Sequence, residues 1–216
     1  MKPLSKCFLY GILDLGYIAP EDCLQIAEAM IEGGVDILQL RAKGHPTSTI
    51  KSLATSLASS LGDIPLIIND HPELVAETGA AGFHVGQSDL PLNSARALTD
   101  RTILAGNSTH TITQAQAAYA QGADYIGFGP LFATPTKPGR LPIGLENIRA
   151  VHRLVPIPIF CIGGIKRENL AAILEAGARR VVIVSGILQA ADVRTYCHDC
   201  KDILKHFSIL TQSGTA

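Results

Sequence analysis

Short apolar runs alternate with longer segments of helical period along the chain. Runs such as LIIND (66–70) and VVIVS (181–185) show no polar alternation, which is typical of strands buried on both faces of a parallel sheet. The pattern predicts strands over 8–14, 36–40, 66–70, 82–85, 102–106, 125–129, 157–162 and 180–184. It predicts helices over 20–32, 47–61, 71–78, 92–98, 111–121, 145–154, 167–175 and 187–204.

A short phrase recurs where a predicted helix ends and a strand begins. It reads EGGVD at 32–36, ETGAAGF at 77–83, AQGADY at 120–125 and EAGARR at 175–180, each with a glycine suited to a left-handed helix cap. The repeated unit predicts one α/β domain over 1–216: a (β/α)8 TIM barrel over about 8–206 with a tail over 207–216. A doubly wound open sheet is the alternative. It would need a glycine-rich dinucleotide fingerprint that residues 11–16 lack.

Net charge and aromatic content limit the classes of binding partner that the protein is expected to have. The net charge is −1 and aromatic content is 5% with no Trp, which argues against nucleic acid and membrane partners, although a homo-oligomer is allowed. The N-terminal segment reads as a first strand instead of a signal peptide. Five scattered cysteines favour a reduced, cytoplasmic protein, and the single CxxC at Cys197 and Cys200 is expected on a surface helix turn.

Polar residues cluster where the predicted strands end, and a barrel brings those ends to one face. Gln39, Arg41 and Lys43 alternate after strand two, as a receptor for a pyrophosphate would require, although a solvated basic edge gives the same pattern. Asp70 and Asp89 follow strands three and four. Each could cap a helix, but together they are oxygen ligands suited to Mg²⁺ beside a diphosphate.

The later strand ends predict a second anion site. Thr134, Pro135, Thr136 and Lys137 offer hydroxyls and an ammonium group, and Gly164 belongs to a glycine pair suited to approach by a phosphate. Ser108 is placed in a strand-to-helix turn, and Ser185 follows strand eight; His110 is either a general acid–base or a packing residue. Two anion sites indicate two phosphorylated substrates and pyrophosphate release.

These segments together resemble the thiamine-phosphate synthase family. The matching motifs, in family order, are LYGILD (9–14), QLRAK (39–43), IIND (67–70), HVGQSDLPL (84–92), GNSTHT (106–111), DYIGFGPLFATPTKPG (124–139), IGGI (162–165) and VVIVSGI (181–187). The resemblance implies a transferase that forms a C–N bond between 4-amino-2-methyl-5-hydroxymethylpyrimidine diphosphate and a thiazole (carboxythiazole) phosphate. The expected products are thiamine monophosphate and pyrophosphate, and Mg²⁺ is the expected cofactor.

Site roles follow motif by motif from the resemblance. The pyrimidine diphosphate is assigned to Gln39, Arg41, Lys43, Asn69, Ser108 and Lys137. Of these, Arg41, Lys43, Ser108 and Lys137 are the expected catalytic residues, and Asp70 and Asp89 the expected metal ligands. The thiazole phosphate is assigned to Thr134, Thr136, Gly164, Val184 and Ser185. Leu40, Ala42 and Pro135 are further expected substrate-binding residues.

Two other functions fit part of the pattern. A thiazole tautomerase of the same barrel family would use His110 to move a proton and would not need a metal–diphosphate receptor. A non-catalytic phosphate-binding barrel would bind ligand without turnover. A metal–diphosphate receptor favours the synthase, and its expected residues are present together: Arg41, Lys43, Asp70, Asp89 and Lys137.

Overall fold

The computed structural model describes residues 1–100, 102–134, 139 and 141–213, with side chains described up to residue 208. Its eight parallel strands close into a barrel in chain order, and the first strand pairs with the last through Leu9 and Val181. The strands are β1 Leu9–Asp14, β2 Ile37–Arg41, β3 Leu66–Asn69, β4 Gly82–Val85, β5 Leu104–Thr109, β6 Tyr125–Phe128, β7 Ile159–Cys161 and β8 Val181–Ile183. The predicted (β/α)8 barrel is confirmed.

Helices follow the strands on the outside of the barrel. They are α1 Cys23–Glu32, α2 Thr47–Ser60, α3 Val75–Thr78, α4 Leu92–Arg96, α5 Ile112–Ala120, α6 Ile148–Leu154, α7 Leu170–Glu175, α8 Ser185–Leu188 and α9 Val193–Ser213. Short 3₁₀ turns span Leu4–Lys6, Pro20–Asp22, Pro72–Leu74 and Arg167–Asn169. No helix within the described ranges is both long and apolar enough to cross a membrane.

Two apolar layers result from the alternation of side chains along each strand. Leu38 and Leu40 of β2 face outward and pack with helix residues such as Ile50 and Leu57 in the larger core. Tyr10, Tyr125 and Phe160 belong to a smaller cluster inside the barrel, and their rings meet edge to face. The aromatic rings fill the interior below the carboxyl ends of the strands, so any site must lie above them.

The amino-terminal end of the barrel is closed by a buried carboxylate. Asp36 accepts the backbone N–H groups of Phe8 at 2.8 Å and Leu9 at 3.0 Å, and it pairs with Lys2 and Lys201. Burial alone would raise the pKa of Asp36, but these hydrogen bonds and ammonium groups lower it below its usual value. Asp36 therefore links the start of β1 to α9 through hydrogen bonds and an ion pair.

The helix predicted over 187–204 is wrong in one respect, because two helices cover this region. α8 ends at Leu188, and Asp192 starts α9 by accepting hydrogen bonds from the Thr195 backbone N–H at 3.0 Å and hydroxyl at 2.7 Å. α9 continues to Ser213, so the tail boundary placed at 207 falls inside a helix. The surface placement of Cys197 and Cys200 is also wrong: both are buried where α9 packs on the barrel.

Strand β5 differs from its prediction over 102–106, because it extends through polar residues to Thr109. The extension is possible because the polar side chains are satisfied within the sheet: Asn107 Nδ2 donates to Val85 O at 3.1 Å and Thr109 Oγ1 to Gly127 O at 2.9 Å. Ser108 therefore lies in a strand and not in the predicted turn. This shift fixes its position at the barrel mouth.

Candidate active site at the barrel mouth

Two adjoining cavities open at the carboxyl ends of the strands. The first, here called the central cavity, is lined by polar residues from β1 to β5 above the aromatic floor: Asp14, Gln39, Arg41, Asn69, His84 and Ser108. The second, here called the side cavity, is lined from β5 to β8, with Ser108, His110, Thr134, Gly163, Gly164 and Ser185 among its residues. Ser108, Gly127, Ile162, Val182 and Val184 line both. Ligands in the two cavities would therefore be neighbours.

The central cavity holds an ion pair between adjacent strands. Asp14 and Arg41 are paired in the β1–β2 register, and Arg41 Nη1 lies 2.6 Å from Asp14 Oδ2. The side chain of Asp14 is 2% exposed and that of Arg41 is 14% exposed. Asp14 Oδ1 also accepts the backbone N–H of Gly16 at 3.0 Å. The pair holds the guanidinium group of Arg41 at the cavity, with donors left over for an anion.

Lys43 takes a different position from its neighbours in the predicted receptor. It lies beyond the end of β2, its side chain is 52% exposed, and Nζ sits 2.9 Å from Asp70 Oδ2. Gln39 and Arg41 line the central cavity, whereas Lys43 does not. Leu40 and Ala42 are buried in the outer core, so only their backbone can face a ligand. The structure brings Gln39, Arg41, Asn69 and Ser108 together.

The two predicted metal ligands lie at the ends of neighbouring strands, outside the linings of both cavities. Asp70 has a φ of +64°, the one left-handed φ among the described non-glycine residues. Such a conformation is costly for a residue with a Cβ, although Asp tolerates it better than most. The carboxylate of Asp70 is 20% exposed and pairs with Lys43 at the rim.

Asp89 closes the turn after β4. Its Oδ2 accepts the backbone N–H of Gly86 at 2.8 Å, and the following helix α4 has Pro91 at its N-cap instead of Asp89. No group of three or more His, Cys, Asp or Glu side chains in the described part of the chain is placed to hold a metal. Mg²⁺ in proteins commonly takes one or two carboxylates and completes its shell with phosphate oxygens and water. The donor chemistry of Asp70 and Asp89 fits that ion.

The side cavity brings backbone and hydroxyl groups together. Gly164 has a φ of +65°, and a Cβ there would lie 2.6 Å from the Phe132 Cβ, so only glycine fits. Thr134 and Ser185 contribute hydroxyls, and Ser185 is the first residue of the short helix α8. Pro135, Thr136 and Lys137 were also predicted for this site, but they lie outside the described residues.

His110 lines the side cavity but is tied to the barrel wall. Its Nδ1 donates to the Gly129 carbonyl, and its backbone N–H donates to Gln114 Oε1 at 2.7 Å. These bonds join the end of β5 to the end of β6 and to α5. They give His110 a structural role whether or not it also moves a proton.

The sequence predicted no role for four polar residues that line the central cavity: Tyr10, Asp14, His84 and Tyr125. A signal for Asp14 existed, because a carboxylate ends the apolar run of the first strand just as Asn69 and Asp70 end the third. Tyr10, His84 and Tyr125 lie within strands and look like core residues in the sequence. Only the closure of the barrel brings them under the cavity.

Comparison with known proteins adds an independent observation. A family model described as thiamine monophosphate synthase matches residues 9–187. A thiamine-phosphate synthase of Shouchella clausii is 40% identical over 197 residues, which cover 90% of this chain and 93% of that protein. One from Gloeobacter violaceus is 43% identical over 177 residues, or 79% of this chain, and the match spans about half (51%) of that longer relative.

A solved structure has a similar fold. The thiamine phosphate pyrophosphorylase from Pyrococcus furiosus superposes with a TM-score of 0.84 at 28% identity, covering 94% of this chain and 98% of that one. The matched region contains every strand of the barrel and both cavities.

Proposed function

This chain belongs to the thiamine monophosphate synthase family, whose members are transferases, and we propose that its barrel mouth joins a pyrimidine diphosphate to a thiazole phosphate and releases pyrophosphate. The observation that carries the proposal is the pair of adjoining cavities that share Ser108 and Val184. Two substrates bound side by side need no movement across the protein before they react.

The pyrimidine diphosphate is assigned to the central cavity. Arg41 offers a planar set of donors suited to diphosphate oxygens, while Gln39, Asn69 and Ser108 add neutral donors. Tyr10, Tyr125 and Phe160 form an aromatic floor on which a heteroaromatic ring can pack. Lys43 at the rim and Lys137, which lies outside the described residues, are assigned to the diphosphate as further cations.

The thiazole phosphate is assigned to the side cavity. The hydroxyls of Thr134 and Ser185 and the open backbone at Gly164 suit a monophosphate, and Val184 lies between the two cavities. Thr136 is assigned to the same phosphate from the sequence, and Pro135 to substrate binding. In this proposal the thiazole ring nitrogen faces the pyrimidine methylene group.

The proposed reaction breaks the bond between the pyrimidine methylene carbon and the diphosphate oxygen, and the bonding electron pair leaves with the diphosphate. The thiazole nitrogen then uses its lone pair to form the new C–N bond. Arg41 and Ser108 stabilise the negative charge that grows on the leaving group, which is an electrostatic form of catalysis that needs no protein nucleophile. The aromatic floor excludes water from the electron-poor carbon.

Asp70 and Asp89 are proposed to hold Mg²⁺. When bound, the ion supplies positive charge that binds and neutralises the diphosphate leaving group. Asp89 keeps its carboxylate oriented through the Gly86 N–H, and Asp70 through the backbone conformation at the end of β3. Lys43 pairs with Asp70 at the rim, and its ammonium group is proposed as a further cation for the diphosphate.

A cytoplasmic location is proposed as well. All five cysteines are free thiols, as expected for a reducing compartment.

The experiment is a pyrophosphate-release assay with both substrates, with each substrate alone, and with and without Mg²⁺. The synthase proposal predicts release only when both substrates and Mg²⁺ are present. A thiazole tautomerase would interconvert the thiazole phosphate without releasing pyrophosphate, and a binding protein would turn over neither. Either of those two results rejects the proposal.

A further inference from the structure

A continuous series of hydrogen-bonded side chains crosses the barrel interior along the wall of the central cavity. Its members, in spatial order, are Gln39, Tyr10, Tyr125, His84 and Ser108. The links measure 2.7 Å from Gln39 Nε2 to Tyr10 Oη, 3.2 Å between the two Tyr hydroxyls, 3.2 Å from Tyr125 Oη to His84 Nδ1, and 2.9 Å from His84 Nε2 to Ser108 Oγ. Both ends lie in the central cavity.

Barrel register and one glycine create the space for this chain. Gly106 of β5 is paired with His84 on one side and with Tyr125 on the other. A Cβ at Gly106 would lie 2.2 Å from the Tyr125 Cζ and 2.5 Å from the His84 Nδ1. Phe160 packs edge-on against both tyrosines, with ring centroids 5.3 and 5.7 Å away. The rings are therefore held in place, and the hydrogen bonds have little freedom to exchange partners.

The donors in the chain have one consistent direction. Gln39 Nε2 can only donate, so Tyr10 accepts there, and its own hydroxyl proton is used toward Tyr125. Tyr125 then donates to His84 Nδ1, and the ring proton of His84 lies on Nε2 and is donated to Ser108. In the reverse direction Tyr10 would accept twice, and its own proton would have no acceptor in the chain. An unpaired hydroxyl proton is costly in a residue that is 1% exposed, as Tyr10 is.

Burial keeps both tyrosine hydroxyls protonated, as the hydrogen bonds require in either direction. Desolvation raises the pKa of Tyr10 and that of Tyr125 well above the usual value, so both hydroxyls keep their protons.

We propose that this series of hydrogen bonds fixes His84 in the Nε2–H tautomer. His84 then donates to Ser108, and the hydroxyl proton of Ser108 is directed into the cavities. His84 is thus a positioning residue that acts through Ser108. Because Ser108 accepts from His84, its proton is available to a ligand oxygen, and Ser108 lines both cavities. The identity of that oxygen, a phosphoryl oxygen of the pyrimidine diphosphate, rests on the proposed function.

The tautomer is measured directly, without any turnover. A two-bond ¹H–¹⁵N correlation spectrum of ¹⁵N-histidine-labelled protein at pH 7.5 separates the protonated from the unprotonated ring nitrogen, and His84→Gln assigns the signal by removing it. We expect the Nε2–H form in the wild-type protein and a mixture of tautomers in Tyr125→Phe. An Nδ1–H form or a doubly protonated ring in the wild type would overturn the proposal.

A double-mutant cycle tests whether His84 acts through Ser108. His84→Asn places its amide near the Nδ1 position and loses the donor to Ser108, whereas His84→Gln places an amide nitrogen near Nε2 and can still donate. Loss of an oriented donor to a charged ligand predicts about a tenfold or larger fall in kcat/KM and in Mg²⁺–pyrophosphate affinity for His84→Asn. His84→Gln should keep most of both, and in a Ser108→Ala background His84→Asn should change them by less than about twofold.

An equal loss from His84→Asn in both backgrounds, or no loss in the wild type, rejects the positioning role. His198→Asn is the matched control, because it removes an exposed histidine on α9. If His84→Asn fails to fold, Tyr125→Phe replaces it in the cycle, since it keeps the ring and removes one link. If the wild type does not turn over both substrates, the proposed function fails, while the tautomer and the pyrophosphate affinities still decide this proposal.

Discussion

The ion pair between Asp14 and Arg41 makes a quantitative prediction about the central cavity. Asp14→Asn preserves side-chain shape and leaves an oxygen to accept the Gly16 N–H. It also removes the negative charge and turns a donor toward the Arg41 guanidinium, 2.6 Å away in the native protein. Arg41 should therefore move away from the cavity wall, and both stability and substrate binding should fall.

The size of each effect follows from burial. Breaking a fully buried ion pair costs about 3–5 kcal/mol, while an exposed pair contributes about 0–1 kcal/mol. With side chains 2% and 14% exposed, the Asp14–Arg41 pair lies nearer the buried case, so we expect about 2–3 kcal/mol lost from the free energy of unfolding. Misplacing a charge-assisted contact of about 1.5–3 kcal/mol should lower kcat/KM for the pyrimidine diphosphate ten- to a hundredfold.

Urea unfolding measures the first effect and steady-state pyrophosphate release the second. Glu77→Gln is the matched control, because it makes the same charge change in the exposed pair with Lys51, whose side chains are 57% and 49% exposed. That control should alter stability by less than about 0.5 kcal/mol and leave turnover unchanged. Wild-type kinetics in Asp14→Asn would refute the idea that Asp14 holds Arg41 in its working position.

Three further variants or conditions test other parts of the molecule. Asp89→Asn keeps an acceptor for the Gly86 N–H, so it should leave the melting temperature nearly unchanged while raising the half-saturating Mg²⁺ concentration about tenfold; an unchanged Mg²⁺ requirement contradicts the metal role. Ser185→Ala should raise KM for the thiazole phosphate about tenfold and not that for the pyrimidine diphosphate; equal changes in both contradict the assignment of the side cavity. Burial, reinforced by neighbouring arginines, lowers the pKa of His152 to about 4, so the unfolded chain binds this proton first as pH falls below about 6.5. Between pH 7.5 and 5 the wild type should lose about 2 kcal/mol more stability in urea unfolding than His152→Gln does; parallel losses contradict the shift.

The fold was predictable from the sequence because its pattern is local and repeated. The short mainly apolar segments LIIN (66–69) and GFHV (82–85) are followed by Asp70 and Gly86, and they form strands β3 and β4. Runs without such boundaries were placed less well. β5 includes Asn107 and Thr109, whose side chains bond to groups on β4, on β6 and in the turn after β4, so no local signal could extend the strand that far.

The break between α8 and α9 did have a local signal. Asp192 precedes Val193 and caps the helix through Thr195, which is a familiar start pattern, but the apolar period on either side concealed it.

Some residues of the candidate site were predictable from the sequence and others were not. Gln39, Arg41 and Asn69 are polar residues that end apolar strands, and their placement at the mouth follows from the rule that parallel strands end on one face. The buried hydrogen bonds that link Tyr10, Tyr125 and His84 were not predictable. A tyrosine or histidine inside an apolar strand looks like core, and the contact between Tyr10 and Tyr125 joins residues 115 positions apart. Only the closed barrel reveals that these hydroxyls and ring nitrogens form one chain.

The most direct test of the central claim is a crystal structure grown with Mg²⁺, pyrophosphate and thiamine phosphate. We expect pyrophosphate to bind Gln39, Arg41 and Ser108 in the central cavity. The phosphate of the product should bind at Gly164 and Ser185 in the side cavity. Both anions in one cavity, or either one bound away from the carboxyl ends of the strands, would contradict the central claim.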